Sequence, residues 1–360
     1  MKKIVIVGGH LTPALAVADA LAEKKNYRVI FFGRKKATDG SDNLSAEFRE
    51  VTKRDIPMVD IVSGRLTRKL TKYTIPSLLK IPLGFLLSFL YLIKYRPGTV
   101  IAFGGYLSTP VIFSAWLLGI DSITHEQAVT PGLANKINSL FVKKIFLSWP
   151  GAQKEFPGEK SEVIGTPQPA LSKKSPGNEK LKSFVTKKGD LLVILGGSQG
   201  SHAINRFIFK NLDLFSSYNI LHQLGMADYL GDHAKASTIR KNNYLAVDYI
   251  SPEDLGAVLS GAKFIISRSG ANTVWDLAAL AKPAIFIPLP IAAGDEQTKN
   301  AQILETAGSA IILSQKDLSR QTMKKNLVRM EKDTKEFEKN AKIFQKTLPQ
   351  NAAEKLINAI

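Results

Sequence analysis

The sequence predicts an α/β protein of two doubly wound domains, each on a largely parallel sheet. Three observations carry that expectation. Short apolar, β-branched runs alternate with stretches of helical period along most of the chain. An apolar run entering a Gly-Gly turn and then a helix occurs at Gly8-Gly9 and again at Gly196-Gly197. The length of 360 residues exceeds twice the usual domain size of about 150.

In the first half, residues 4–7, 29–32, 100–103 and 123–125 read as strands. Residues 13–23 carry apolar side chains at 15, 16, 18, 21 and 22 behind a first-turn proline, which marks a helix. Residues 150–178 hold proline and glycine with little periodicity and read as a boundary and linker. The first domain is therefore expected over 1–155 and the second over 156–339. Residues 191–195 open the second domain as a strand, followed by Gly196-Gly197-Ser198-Gln199-Gly200-Ser201 and a helix. Strands at 244–247, 263–267 and 284–288 then alternate with helices at 252–260, 271–281 and 296–307. Residues 315–360, dense in Lys and Glu at helical spacing, read as surface helix, with 340–360 expected to pack back on the first domain.

The absence of cysteine excludes disulfides, thiolate metal sites and a cysteine nucleophile. With 44% apolar and 22% charged residues and a mean hydropathy of -0.02, the chain is neither disordered nor a multi-span membrane protein. Its net charge of +18 implies attraction to an anion, either nucleic acid or acidic lipid. The apolar run before Gly8 is only four residues long, too short for a signal-peptide core. The most apolar tract, 81–93, contains Pro82 and Gly84 and falls short of the roughly 20 residues that cross a bilayer. Around it, residues 61–120 contain no Asp or Glu but hold Arg65, Arg68, Lys69, Lys72, Lys80, Lys94 and Arg96. Such a window fits a helix lying on anionic lipid, and equally a core helix with solvated flanks, the missing acids favouring lipid.

Gly8-Gly9-His10 and Gly196-Gly197-Ser198-Gln199-Gly200 lie where glycine lets backbone N–H groups approach a phosphate. Neither is a G-x-G-x-x-G fingerprint or a lysine-bearing phosphate loop, which argues against NAD and ATP hydrolysis. Ser267-Arg268-Ser269-Gly270-Ala271-Asn272-Thr273 forms a third turn, and Asp276 on its helix could chelate a ribose diol or merely balance the helix dipole. The loop 288–298 turns from apolar to polar at a helix start, suiting either a sugar site or a capped helix entry. His10, His125 and Glu126 follow strand ends of the first domain; each is a candidate base or a structural polar group. No H-E-x-x-H or D-x-D pattern is present, so a metal-free mechanism is expected, with anionic charge met by helix N-termini, N–H groups and hydroxyls.

Taken in order, Gly8-Gly9-His10, Phe103-Gly104-Gly105-Tyr106-Leu107-Ser108, His125-Glu126-Gln127, Gly196 to Gly200, Arg268-Ser269-Gly270-Ala271 and Asp295-Glu296-Gln297 resemble the MurG family of N-acetylglucosaminyltransferases, over residues 1 to about 312. The resemblance implies a GT-B fold, two Rossmann-like domains facing across a cleft. It implies inverting, metal-independent transfer of GlcNAc from UDP-GlcNAc to the 4-hydroxyl of undecaprenyl-diphospho-MurNAc-pentapeptide. No cofactor beyond the donor substrate is implied. It further implies a peripheral enzyme on the cytoplasmic face of the bacterial plasma membrane, with an anionic membrane surface as partner and no nucleic acid.

By this resemblance His10 is the first choice of base, and His125 and Glu126 are acceptor-side residues. Ser198 and Gln199 belong to the diphosphate-sugar loop, and Gly197, Ser269 and Gly270 are further donor-binding residues. Asp276 is the ribose acid, Gln297 the donor-sugar glutamine, and Tyr249, Ile250 and Leu255 form the uracil wall. The chain departs from the family pattern in a shortened first loop, in Ala128 where asparagine is usual, in Gly165-Thr166-Pro167-Gln168-Pro169 without its arginine, and in Asp276 in place of glutamate. Two rivals stand beside this assignment: the same fold acting on another polyprenyl or glycolipid acceptor, and a nonenzymatic basic binder of membrane or nucleic acid.

Overall fold

The computed structural model describes residues 1–36, 44–64, 74–169, 175–291 and 293–360. The chain divides into two units, residues 1–169 with 349–360, and residues 170–348. In the first unit β1 (Lys2–Val7), α1 (Leu11–Ala22), β2 (Tyr27–Gly33), α2 (Ala46–Thr52), β3 (Met58–Asp60), α3 (Thr74–Tyr95), β4 (Thr99–Ala102), α4 (Ser108–Leu117), β5 (Ser122–Glu126), α5 (Leu133–Asn138), β6 (Lys144–Leu147) and β7 (Ser161–Val163) form a parallel sheet of order β3-β2-β1-β4-β5-β6-β7. Its strands are covered on both faces, so β1 and β4 are runs of apolar residues rather than alternations. Ile4, Ile6 and Ile101 pack with Leu15, Ala18 and Leu21 of α1 on one side; Val5, Val7 and Val100 pack with Val111 and Ala115 of α4 on the other.

Chain order reverses between β1 and β4, which pair with Val7 beside Ala102. The turns that leave these neighbouring strands therefore lie side by side, the place where open α/β sheets bind ligands. A methyl on Gly9 would sit 2.2 Å from the Gly104 carbonyl oxygen, and Gly105, at φ +76°, would carry a methyl 2.9 Å from the Gly9 Cα. Only glycine permits that approach.

The second unit holds α6 (Glu179–Val185), β8 (Leu191–Leu195), α7 (His202–Lys210), β9 (Asn219–Gln223), α8 (Asp232–Ser237), β10 (Tyr244–Val247), α9 (Pro252–Gly261), β11 (Phe264–Ser267), α10 (Ala271–Ala279), β12 (Ala284–Phe286), α11 (Glu296–Thr306), β13 (Ala310–Ile312), α12 (Arg320–Lys332) and α13 (Thr334–Gln345). Its parallel sheet runs β10-β9-β8-β11-β12-β13, with the reversal between β8 and β11. The final helix, α14 (Ala352–Ile357), belongs to the first unit, where Ala352, Leu356 and Ile357 join the core containing α1.

Three expectations change. The stretch 150–178 does contain the division between the units, but it is not all linker, because β7 pairs with β6 and extends the first unit to Pro169. Nor does the chain return at 340: α13 stays with the second unit through buried Phe337, and the return begins at Pro349. The segment 315–360 also contributes to cores, since Met323, Leu327 and Met330 are buried as well.

Helix α3 is longer than the apolar tract read from sequence, and Pro82 lies inside it. Leu92 and Ser88 face the interior, whereas Leu79, Leu83, Leu86, Leu90 and Ile93 are exposed at alternating four- and three-residue steps, which place them on one stripe. The helix is thus part core and part surface. Phe85 of α3 meets Phe113 of α4, which contacts Trp116 and Phe141, so exposed Trp116, Leu117 and Leu140 continue the apolar surface. No described helix is long and apolar enough to cross a membrane. Arg65, Arg68, Lys69 and Lys72 lie outside the described residues, as does Ala292 of the fourth loop.

Candidate active site

In the first unit His10 caps the N-terminus of α1 at the end of the Gly8-Gly9 turn. Its backbone N–H donates to the Phe103 carbonyl at 3.1 Å, which ties the turn to β4. The side chain is half-buried, and loss of hydration lowers its pKa to about 4, so the imidazole is neutral near pH 7. Among the described residues no acceptor meets the N–H groups of Gly9, Gly104, Gly105 and Tyr106. Next to the N-terminus of α1 they make a site disposed toward an anion.

His125 is fully buried, with a pKa lowered to about 4 by burial, countered by the Gly165 carbonyl and reinforced by repulsion from His10. Its Nε2–H donates to the Gly165 carbonyl at 2.8 Å, and its Nδ1 accepts from Gln127 Nε2 at 2.9 Å. Both ring nitrogens are therefore committed. Glu126 is buried too: Oε1 accepts from the Ala128 N–H at 2.9 Å, and Oε2 from the Gly132 N–H at 3.0 Å and Asn135 Nδ2 at 2.9 Å. Asn135 Oδ1 also accepts from Thr124 Oγ1 at 2.7 Å. These two acceptor-side candidates shape the loop after β5, with Asn135 as a partner that sequence alone did not single out.

In the second unit the glycine loop after β8 is held by its carbonyls. The Gly197 carbonyl accepts from Gln223 Nε2 at 3.1 Å, Ser198 from the Met226 N–H at 2.9 Å, and Gln199 from the Ala227 N–H at 3.3 Å. Among the described residues nothing accepts from the N–H groups of Gly197, Ser198 and Gln199. Three adjacent donors beside the start of α7 are disposed to receive an anion. Gln223 Oε1 accepts from the Ile250 N–H at 3.1 Å, so one side chain joins the glycine loop to the wall containing exposed Tyr249, buried Ile250 and, in the first turn of α9, Leu255.

On the β11 side, Arg268 is buried and its pKa is lowered to about 10 by desolvation. Its guanidinium donates to the Ile287 and Pro288 carbonyls at 2.8 and 3.0 Å, to Ser201 Oγ at 2.8 Å and to Gln315 Oε1 at 2.6 Å. All four acceptors are neutral, so positive charge is concentrated between the two loops. Ser269 Oγ donates to the Gln297 carbonyl at 2.8 Å, and Gln297 Oε1 accepts from the Leu289 N–H at 3.0 Å. Gly270 caps α10, and Asp276 is buried in the second turn of that helix, not in its first turn where dipole compensation acts. The sequence pattern did not single out Gln223, and it placed Arg268 in the third turn without assigning it a role; the signal for both is a polar side chain at the end of a buried strand.

Three histidines, half-buried His10 and fully buried His125 and His222, have pKa values lowered from the unfolded value of about 6.5: His10 and His125 to about 4 and His222 to about 3, each chiefly through desolvation. The unfolded chain binds more protons in that interval, so stability is full above about pH 6.5 and falls as pH drops toward 4. Thermal melts across pH 7.5 to 4.5 should show Tm decreasing with acidification; a flat profile would contradict the burial.

Residues 7–147 match the glycosyltransferase family 28 N-terminal domain, and residues 191–356 the C-terminal domain of the same family. A Treponema denticola protein named UDP-N-acetylglucosamine–N-acetylmuramyl-(pentapeptide) pyrophosphoryl-undecaprenol N-acetylglucosamine transferase is 34% identical over 86% of this chain and 82% of its own length. A Clostridium kluyveri protein of the same name is 30% identical over 100% of this chain and 99% of its own length. The crystal structure of Acinetobacter baumannii MurG superposes with a TM-score of 0.71 at 26% identity, covering 100% of this chain and 99% of that one. UDP-GlcNAc 2-epimerase from Neisseria meningitidis shares the fold at a TM-score of 0.67 and 14% identity, covering 99% of each chain. With both domains matched and the similarity running the full length, the chain belongs to glycosyltransferase family 28, as an N-acetylglucosaminyltransferase of the MurG type with the GT-B fold.

Proposed function

We propose that the protein transfers GlcNAc from UDP-GlcNAc to the 4-hydroxyl of undecaprenyl-diphospho-MurNAc-pentapeptide, with inversion at the anomeric carbon. The observation that carries this reading is the full-length similarity to transferases named for that donor and acceptor. The site geometry supports it. The donor diphosphate sits on the N–H groups of Gly197, Ser198 and Gln199, with Ser269 and Gly270 opposite and the Arg268 charge behind. Tyr249, Ile250 and Leu255 face uracil, Asp276 the ribose, and Gln297 the sugar.

On the acceptor side, the amides of the Gly9 and Gly104-Gly105 turns receive the lipid diphosphate. His10 takes the proton of the 4-hydroxyl as oxygen attacks the anomeric carbon, and the C1–O bond to UDP breaks with its electron pair leaving on the diphosphate. His125 and Glu126 hold the acceptor loop in shape, since their polar atoms are engaged with the protein. Charge on departing UDP is met by fixed N–H dipoles and Arg268, with no metal required. Incubation with UDP-GlcNAc and the lipid-linked muramoyl-pentapeptide should release UDP at a rate indifferent to EDTA. Release with a different lipid-linked sugar instead would assign another acceptor, and no release with either would refute the activity.

The protein acts from the cytoplasmic face of the membrane as a peripheral enzyme. The stripe Leu79, Leu83, Leu86, Leu90 and Ile93, with Trp116, Leu117 and Leu140, enters an anionic leaflet, aided by Lys80 and Lys94 of the same helix. Leu86→Glu should weaken sedimentation with phosphatidylglycerol vesicles about 10-fold while leaving UDP binding unchanged, since a charge in an interfacial apolar face costs of order 1–3 kcal/mol. Undiminished vesicle binding would place the contact elsewhere.

A further inference from the structure

Helix α2 carries an acidic side chain that the reaction scheme above does not use. Ser45 fixes the start of α2 against the end of β2: its Oγ donates to the Arg34 carbonyl at 2.6 Å and accepts from the Phe48 N–H at 2.9 Å, and its N–H donates to the Lys35 carbonyl at 2.8 Å. Glu47, in the first helical turn, then reaches back across the ends of β1 and β2. Its Oε2 accepts from the Arg34 N–H at 3.1 Å. A methyl on Gly8 would lie 1.6 Å from Glu47 Oε1, and one on Gly33 would lie 2.9 Å from Oε2, so the carboxyl fills a slot that exists because both positions are glycine. Gly8 is itself held beside β2 by its N–H to the Phe32 carbonyl at 3.2 Å, and two residues later the chain reaches His10.

A glutamate here could serve only to favour the helix N-terminus, but that role needs no contact with the neighbouring strands. The carboxyl is instead fitted against the turn that presents His10 on one side and the backbone of β2 on the other. Burial in this slot raises its pKa, countered by the Arg34 N–H.

We propose that Glu47 is a positioning residue for the transfer reaction: its carboxyl, anchored on the Arg34 N–H and wedged against Gly8, sets where the Gly8-Gly9 turn holds His10. The functional part of this inference rests on His10 being the base. The slot requires the shape and the acceptor oxygen, not the charge, so Glu47→Gln should retain the position while Glu47→Ala should release it.

The test compares Glu47→Gln, Glu47→Asp and Glu47→Ala with the parent protein by steady-state kinetics and by NMR of the His10 ring, whose resonance is identified by its loss in His10→Ala. Glu47→Ala should lower kcat about 10-fold or more, leave KM for UDP-GlcNAc within about 3-fold, and shift both the His10 resonance and its titration. Glu47→Gln should stay within about 3-fold of the parent in kcat, and Glu47→Asp, one methylene shorter, should fall between. If the alanine variant does not fold, the glutamine and aspartate variants decide: equal rates in both would overturn the proposal. So would a Glu47→Ala protein with unchanged kcat and an unmoved His10 resonance, or a Glu47→Gln protein as impaired as the alanine variant. Full activity in His10→Ala would remove the assignment of the base, whereas the NMR shift in Glu47→Ala would still report the positioning.

Discussion

Replacing His10 by alanine is expected to lower kcat by about 10² to 10⁴, the usual contribution of a positioned general base, while KM for UDP-GlcNAc stays within about 3-fold. The expectation follows from a contrast between two histidines, half-buried His10 and fully buried His125, whose pKa values are both lowered to about 4. His125 donates one ring nitrogen to the Gly165 carbonyl and accepts at the other from Gln127, so no lone pair is left for an incoming hydroxyl. His10 stands at the start of α1 beside unengaged N–H groups and is neutral at working pH, because its pKa is lowered to about 4. The acid limb of kcat/KM should accordingly fall well below pH 6 and vanish in His10→Ala. His125→Ala should instead show its largest effect on Tm, because it leaves the buried Gly165 carbonyl without its donor. Comparable turnover in His10→Ala and the parent would assign the base elsewhere.

The second large effect is expected at Gly200. Its φ is +93°, and an added methyl would lie 2.2 Å from the Leu224 carbonyl oxygen and 3.1 Å from the Gly225 Cα. Gly200→Ala cannot be absorbed by a rotamer change, because the obstructing atoms are backbone. The loop must move, with strain of about 1–3 kcal/mol. The moved segment contains the three N–H groups assigned to the donor diphosphate, and losing even one charge-assisted hydrogen bond costs about 1.5–3 kcal/mol. Calorimetry should therefore show UDP binding weakened by about 10- to 100-fold. Circular dichroism should show the domain still folded, since the β8–β9 and β8–β11 ladders do not pass through Gly200. An unchanged affinity for UDP would detach this loop from the diphosphate.

The parts of the fold legible in the sequence are those whose physics is local. The apolar run of β8, entering Gly196-Gly197, announces both a buried parallel strand and a turn of close backbone approach. Strand β9 could not be read that way, because Asn219, His222 and Gln223 interrupt its apolar pattern. His222 is tolerated in the core because its ring nitrogens meet Tyr244 Oη and Asn205 Oδ1, both at 3.0 Å, from elements distant in sequence. Strands β3 and β7 are three residues each, too short for any periodicity.

The candidate site divides along the same line. Glycine loops and the residues following strand ends can be placed from pattern, and His10, Ser198 and Gln199 lie at such positions. What distinguishes His10 from His125 cannot, since the partner that occupies His125 is a carbonyl at residue 165. Nor does anything local in α2 show that Glu47 fits against Gly8, or that Gln223 bridges Gly197 and Ile250. Those relations arise only when strands adjacent in the sheet bring remote segments together.

A crystal soaked with UDP-GlcNAc addresses the central claim most directly. The diphosphate oxygens should lie about 3 Å from the N–H groups of Gly197, Ser198 and Gln199, beside the first turns of α7 and α10, with uracil against Ile250. A diphosphate coordinated to a metal ion away from those amides, or a donor seated elsewhere on the second domain, would contradict it.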